Sequence, residues 1–377
     1  MQPARPWIHA TTWGDDLMRA YLRPYWLSRE IYNETATFIG EGGEATLMFT
    51  PTEVLSVRSY DLSTTYRAGV DYTIEGRTIR RLPGGAIPYW EPEEYFPAEP
   101  SRGIPIAVNR DVLDFDLPGD RFLLYGEMDF FTKKQVAVTY RHEDEYDGPA
   151  FLPQPEKLTR VLDKLSRGED IRVMVYGDSV AVGCNASGTH YGGNINPHMP
   201  NFATIVCDYI HRETGSTVHL ENQAVGGWKI ANCLEAYDEK IAGKPIDLLI
   251  LRIGGNDSAT PEEAFASGMD HLLERFFADH PDANVILQTP DLPNTQSTWV
   301  FWSHMAEPWT VEAVERSPHK GQMAVARVQS FTEWLESRGK RTRDRLANNI
   351  NHSNDFLIRS YAQIILTTLF GTRFTEA

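Results

Sequence analysis

The chain has 377 residues, of which 41% are hydrophobic and 23% charged, a composition typical of folded globular proteins. The 36 Lys and Arg against 52 Asp and Glu leave a formal net charge of −16, which argues against nucleic acids and anionic membranes as partners. The opening residues lack the pattern of a secretory signal, no apolar run is long enough to span a membrane, and three cysteines are too few for a disulfide framework. We expect a cytoplasmic protein of about two domains.

The first part of the chain, to about residue 146, predicts an all-β domain. Short β-rich runs alternate with turn residues, and Glu75-Gly76 between two of them is typical of a hairpin turn. The runs lie at 45–49, 54–57, 71–74, 77–79, 122–124 and 135–140. No helical period is evident there. We therefore predict an N-terminal β-sandwich domain, jelly-roll-like, at residues 1–150.

From residue 155 onwards the pattern changes to alternating helices and strands. Helical apolar stripes lie at 158–165, 202–210, 230–241 and 265–276, and strand-like apolar runs lie at 171–176, 218–220, 247–253 and 284–288. This alternation predicts a flavodoxin-like, three-layer α/β domain with a parallel sheet at residues 155–377. The boundary should lie near 147–155, where the sequence DGPAFLPQP contains one Gly and three Pro.

Three of the predicted strands end in polar or glycine-rich motifs, and a fourth motif lies near the C-terminus. They are Gly177-Asp178-Ser179, the run NQAVGG at 222–227, the run GGND at 254–257 and the run NNINHSND at 348–355. Chemistry in open parallel sheets collects beyond the carboxyl ends of the strands, so we expect these motifs to meet.

In this order the four motifs resemble those of the SGNH (GDSL-type) hydrolases, and the layout with a preceding β domain is similar to that of two-domain carbohydrate esterases. The resemblance covers roughly residues 168–370. It implies that Ser179 is the nucleophile, since a hydroxyl needs a base to become reactive, and that His352 is this base. The implied oxyanion hole consists of the backbone N–H groups of Ser179 and Gly227 and the side-chain amide of Asn256, with Gly226 as the alternative to Gly227.

One position departs from the family pattern. The family usually has an Asp three residues before the histidine, where this chain has Asn349. Three arrangements are open: a Ser–His dyad aided by a backbone carbonyl, a histidine oriented by Asn349, or an acid supplied from elsewhere. We prefer the dyad or the Asn349-assisted form, and we expect Asp355 to cap the final helix.

Two long loops, 183–200 and 291–320, should shape substrate specificity. Trp299 and Trp302 in the second loop suit sugar stacking and equally suit a domain or dimer contact. We expect Trp228, directly after the oxyanion glycine, to line the acyl pocket, and we count Asp178 as a candidate for substrate binding that could instead hold the turn. The histidines, including His190 and His198, form no metal-binding pattern.

These features predict a serine esterase that removes a small acyl group, which we expect to be acetyl, from a carbohydrate or similar polar alcohol. It should need no cofactor and no metal. One alternative is a lipid esterase or thioesterase, which would be expected to have a rim of long aliphatic residues. Another is a non-catalytic carbohydrate-binding protein on a degenerate hydrolase fold. The N-terminal domain could cover the crevice, bind glycan or build a homo-oligomer.

Overall fold

A parallel sheet forms the centre of the second half of the chain. The computed structural model describes residue 11 and residues 13–112 and 115–371; the opening segment that lacks a signal-peptide pattern lies mostly outside them. The strands are β1 (Glu30–Thr37), β2 (Glu44–Thr46), β3 (Pro51–Ser59), β4 (Tyr72–Glu75), β5 (Thr78–Arg81), β6 (Gln135–His142), β7 (Ile171–Gly177), β8 (Val218–Asn222), β9 (Leu248–Arg252), β10 (Asn284–Gln288) and β11 (Met323–Ala326). The last five pair in parallel in the order β11-β10-β9-β7-β8.

Helices connect these strands and precede the first of them. The α-helices are α1 (Asp15–Leu22), α2 (Pro92–Tyr95), α3 (Thr159–Ser166), α4 (Ser179–Val182), α5 (Phe202–Thr214), α6 (Ile230–Glu235), α7 (Tyr237–Lys240), α8 (Glu262–Asp279), α9 (Ala306–Arg316), α10 (Val328–Ser337) and α11 (Asp355–Phe370). Short 3₁₀ turns lie at Ser101–Gly103, Arg110–Val112, Thr132–Lys134, Pro155–Lys157, His190–Gly192, Thr298–Val300, Ser303–Met305, Lys320–Gln322 and Thr342–Asp344. Among the described residues, no helix combines the length and apolar character needed to cross a bilayer.

The parallel sheet is buried on both faces, because alternate residues of each strand point to opposite sides. On β7, Val173 and Val175 belong to a core that includes α5 and α11, whereas Met174 and Tyr176 belong to a second core formed with α6, α8 and α9. The predicted three-layer α/β fold is therefore confirmed. The prediction of one long loop at 291–320 was wrong in part, because α9 occupies the end of this segment and buries Trp309.

The N-terminal region, residues 1–150, carries the predicted antiparallel strands. They form two three-stranded sheets, β1-β6-β3 and β2-β5-β4, and the Glu75-Gly76 turn joins β4 to β5 as predicted. The run at 122–124 makes only an isolated bridge, between Phe122 and Ala107. Helix α1 and strand β1 were not predicted from the sequence. Strand β1 carries mostly polar side chains, so it lacks the apolar pattern that indicates a strand.

The two regions share one hydrophobic core. Ile31 and Val138 of the N-terminal region belong to the same buried cluster as Phe356 and Tyr361 of α11. An ion pair crosses between the regions: the buried Lys340 ammonium lies 2.8 Å from the Glu34 carboxylate. The boundary at 147–155 therefore stays a prediction, because the core continues across it.

Candidate active site

The nucleophile motif forms a sharp turn at the carboxyl end of β7. Gly177 has a φ of 142°, and a Cβ at this position would lie 1.7 Å from the carbonyl oxygen of Arg252, so no larger residue fits. The side chain of Asp178 accepts a hydrogen bond from the backbone N–H of Val180 at 3.1 Å and thereby caps α4. Ser179 is the first residue of this short helix, and its backbone N–H faces out of it.

Beneath this turn lies a buried charge cluster that fixes its position. One end of the Arg252 guanidinium pairs with Asp178, and the other lies 2.8 Å from Asp291. Burial disfavours the charge on Arg252, but the two carboxylates outweigh this effect and raise the pKa of Arg252. Asp178 is fully buried in this cluster, so of the two roles left open for it the structure favours the second, in which its carboxylate holds the turn together.

His352 reaches Ser179 from the opposite side of the cleft. Its Nε2 lies 2.9 Å from the Ser179 hydroxyl oxygen, and its side chain is 12% exposed. The side-chain oxygen of Asn348 accepts the backbone N–H groups of Ile350, Asn351 and His352 at 2.9–3.0 Å and so shapes the loop that presents the histidine. The structure therefore brings the two residues of the expected pair into hydrogen-bonding reach.

The cap of the following helix differs from the expectation. Asn354, not Asp355, caps α11 by accepting the N–H of Leu357 at 3.3 Å. Asp355 lies in the first turn and accepts the backbone N–H of Ser187 at 3.0 Å. This contact ties the loop after α4 to the start of the final helix.

The other ring nitrogen of His352 contacts residues that the sequence did not indicate. Nδ1 lies 2.6 Å from the side-chain oxygen of Asn185 and 3.2 Å from a carboxylate oxygen of Glu127. Burial opposes ionisation of Glu127, but its hydrogen bond to His352 and the charge of that ring, with further donors from Tyr125 and Asn348, lower its pKa to about 2. Glu127 is thus a carboxylate at neutral pH.

Asn349 does not orient the imidazole. Its backbone has a φ of 69°, and its side chain faces the N-terminal region, accepting from the Tyr95 hydroxyl at 2.8 Å and donating to the carbonyl of Leu124 at 2.9 Å. The expectation that Asn349 assists His352 directly was therefore wrong in geometry, since both of its polar atoms are bonded elsewhere.

The residues of the three expected oxyanion donors line one cleft. Ser179, Gly227 and Asn256 line the same cleft, as does Gly226, where a Cβ would lie 3.9 Å from the Cβ of Ser179. Gly227 adopts a φ of 79°. The amide nitrogen of Asn256 donates to the carbonyl of Trp228 at 3.0 Å, which holds the amide beside the glycine turn and uses one of its two hydrogens.

The cleft has a volume of about 410 Å³ and is built by both regions of the chain. Ile104, Tyr125, Glu127 and Met128 of the N-terminal region form one wall. Cys184, five residues after the nucleophile, also lines the cleft, and burial raises the pKa of its thiol to about 12, so that it stays neutral.

Only one of the three predicted substrate-binding tryptophans lines this cleft. Trp299 does so, 41% exposed, together with the exposed Tyr191. Trp302 is exposed but is not part of the lining. Trp228 packs edge-on against Tyr176 at 5.8 Å between ring centres, so its expected place in the acyl pocket was wrong.

Three polar residues at the site were missed by sequence reasoning: Glu127, Asn185 and Asn348. Asn348 lies in the fourth motif and Asn185 in the loop 183–200, so the proximity of both to the site was a readable signal. Glu127 lies in the N-terminal region, 225 positions before His352, and no local pattern connects the two.

Comparison with protein families gives a match to the second half of the chain. The model of the GDSL-like lipase/acylhydrolase family matches residues 175–356. Residues 175–356 form a GDSL-like domain. This domain contains Ser179 and His352, whereas Glu127 lies outside the matched residues. No curated protein sequence matches the chain at a significant level.

Solved structures with a similar fold include several esterases. A two-domain esterase active on acetylated mannans, co-crystallised with mannopentaose, has 15% sequence identity and a TM-score of 0.47; the match covers 61% of this chain and 56% of that one. The chain therefore aligns with little more than half of the mannan esterase. An acetylxylan esterase from Geobacillus stearothermophilus has 15% identity and a TM-score of 0.42, over 54% of this chain and 96% of that one.

Proposed function

We propose that the chain is a serine ester hydrolase that removes a small acyl group from a polar alcohol, with Ser179 as nucleophile and His352 as base. The observation that carries the proposal is the 2.9 Å contact between the Ser179 hydroxyl and His352 Nε2, in a cleft that Gly227 and Asn256 also line. A positioned base is what a serine hydroxyl needs to become nucleophilic.

The reaction runs in two halves. The Ser179 oxygen attacks the ester carbonyl as its proton passes to Nε2 of His352, and the N–H groups of Ser179, Gly227 and Asn256 stabilise the oxyanion. Collapse breaks the bond to the alcohol, which leaves with the proton from His352. Water then attacks the acyl-enzyme, gives a proton to Nε2, and the acid departs as Ser179 recovers its hydrogen.

For the alcohol we propose a carbohydrate. Tyr191 and Trp299 present exposed aromatic rings at the cleft, and such rings offer flat apolar faces to sugar rings. The carboxylate of Glu127 in the cleft wall and the net charge of −16 favour neutral substrates over anionic ones.

A second candidate is a longer acyl chain. Three apolar side chains, those of Ile104, Met128 and Ile350, line the same cleft and could contact an aliphatic acyl group. A lipid esterase or thioesterase would use the same catalytic groups, so the acyl-chain preference separates the two candidates.

The test measures hydrolysis of p-nitrophenyl esters of increasing acyl length, followed by mass analysis of acetylated oligosaccharides after incubation. We expect acetate to be the preferred ester and the oligosaccharides to lose acetyl groups. Ser179→Ala and His352→Ala should each lower kcat by about 10⁴-fold or more, since the two residues act as a unit. Ser166→Ala, at an exposed serine of α3, is the matched control and should keep full activity. Equal activity of Ser179→Ala and the native chain would refute the proposal.

A further inference from the structure

The acid that the GDSL-like domain lacks at position 349 has a substitute in the N-terminal region. We propose that Glu127 is the positioning residue of His352, so that the β-rich N-terminal region completes the catalytic machinery of the neighbouring domain. This inference rests on the proposed function and deepens it. Of the described residues that line the cleft, Glu127 is the only one with a carboxylate.

The geometry around Nδ1 supports this role. A ring proton on Nδ1 leaves Nε2 free to accept the proton of Ser179, and an acceptor at Nδ1 selects this tautomer. Both Asn185, at 2.6 Å, and Glu127, at 3.2 Å, offer an oxygen there. Asn185 can orient the ring, but only Glu127 carries the charge that stabilises the imidazolium formed during the reaction.

The carboxylate is itself held in place by donors from both regions. One of its oxygens accepts from the Tyr125 hydroxyl at 2.5 Å and from the amide of Asn348 at 3.1 Å, and the other faces His352. Because Asn348 also binds three backbone N–H groups of the histidine loop, one side chain couples the position of Glu127 to that of His352.

Asn349, at the position where the family usually has an Asp, helps to hold the segment that contains Glu127. Asn349 binds the carbonyl of Leu124, three residues before Glu127, and accepts from the Tyr95 hydroxyl. Asn185 donates to the carbonyl of Met128 at 3.2 Å, on the other side of Glu127. The segment with Glu127 is thus anchored to the GDSL-like domain at both ends.

The backbone beside Glu127 is strained in a way that suits a functional position. Met128 has a φ of 61° and Asn185 a φ of 64°, a region that L residues rarely adopt. Such strain persists where the surrounding contacts enforce it, and it collects at functional sites. Met128 directly follows Glu127, so this enforced conformation lies next to the carboxylate that faces His352.

The test compares Glu127→Gln, Glu127→Asp and the control Glu143→Gln, which alters an exposed glutamate of the same region. The amide of Glu127→Gln can donate to Nδ1 and favour the wrong tautomer, so we expect kcat for p-nitrophenyl acetate to fall by about 10²–10⁴-fold with little change in KM. Glu127→Asp keeps the charge and should recover part of the loss. Glu143→Gln should match the native chain.

A second readout does not depend on turnover. In a Ser179→Ala background, the NMR titration of the His352 ring should have its midpoint at lower pH after Glu127→Gln, because the imidazolium loses its counter-charge. The other titratable side chains in the cleft are Tyr125, Cys184, His190 and Tyr191; Glu127→Gln replaces none of them, and Glu143→Gln should leave the midpoint unchanged.

The outcomes separate this inference from the proposed function. An unchanged midpoint, or a raised KM with kcat retained, would overturn the role of Glu127 even if the chain hydrolyses esters. A lowered midpoint would support the role of Glu127 even if the chain does not hydrolyse p-nitrophenyl acetate. That lack of hydrolysis would count against the proposed function alone.

Discussion

Asp257, in the run after β9, shows how burial acts on a single carboxyl beside the site. It accepts the backbone N–H of Ile230 at 3.1 Å and the hydroxyl of Thr260 at 3.1 Å, and so holds the start of α6. Burial nevertheless dominates and raises the pKa of Asp257 to about 6. The folded protein therefore keeps this proton at pH values where the unfolded chain has released it.

This shift predicts a pH-dependent effect of Asp257→Asn. As pH rises from about 4 to about 6, only the unfolded chain loses the proton, so the free energy of unfolding falls and stays lower above pH 6. The rise of the pKa from 3.8 to about 6 corresponds to about 3 kcal/mol, an upper bound on the loss in free energy of unfolding. The substitution removes this cost. Urea unfolding should therefore show that the free energy of unfolding of Asp257→Asn, minus that of the native chain, is larger at pH 7.5 than at pH 4. Asp120→Asn, at an exposed position, should show no such difference.

At the scale of residues, the sequence predicted the groups that lie at strand ends. Ser179 directly follows a buried parallel strand, whereas its pairing with His352 was predicted from the resemblance of the four motifs to a known family. Asn349 could not be interpreted correctly, since its contacts with Tyr95 and Leu124 join positions more than 200 residues apart in the chain. The same separation hides Glu127.

Strand β9 and the turn after β7 are joined by one buried guanidinium. Arg252, the last residue of β9, is 3% exposed and bridges Asp178 and Asp291. Removal of the cation would leave two buried carboxylates facing each other, and uncompensated buried charge is strongly destabilising. The position of Ser179 therefore depends on a strand that does not line the cleft.

We expect Arg252→Met to lower the free energy of unfolding by about 3–5 kcal/mol, because it breaks a buried ion cluster. The matched control is Arg316→Met, which removes an exposed pair with Asp270 and should cost less than about 1 kcal/mol. Denaturant unfolding of both variants measures the difference. Equal stability of the two would show that the cluster does not hold the turn.

Elements with strong apolar patterns were predictable, and weakly patterned ones were not. Strands β7, β9 and β10 are near-continuous apolar runs, as is typical of buried parallel strands. Strand β11 has only four residues, and β1 carries polar side chains whose partners come from distant segments. Thr37 of β1, for example, donates its hydroxyl to the carbonyl of Arg343 at 2.8 Å.

At the scale of the whole molecule, the N-terminal region and the GDSL-like domain form one core and one cleft. Most of the segment 339–349 is buried, and its Lys340 pairs with Glu34 of β1. This shared interface explains how a side chain from outside the family-matched residues can reach His352.

We propose that the cleft activates one serine, Ser179. Incubation of the full chain with a fluorophosphonate, followed by intact mass and peptide mapping, tests it directly, because such reagents form a stable adduct only with an activated hydroxyl. We predict a single adduct on the peptide that contains Ser179, absent from Ser179→Ala and formed more slowly by His352→Ala and Glu127→Gln. If the folded native chain forms no adduct, or forms it at another residue, the proposal that the cleft activates Ser179 is wrong.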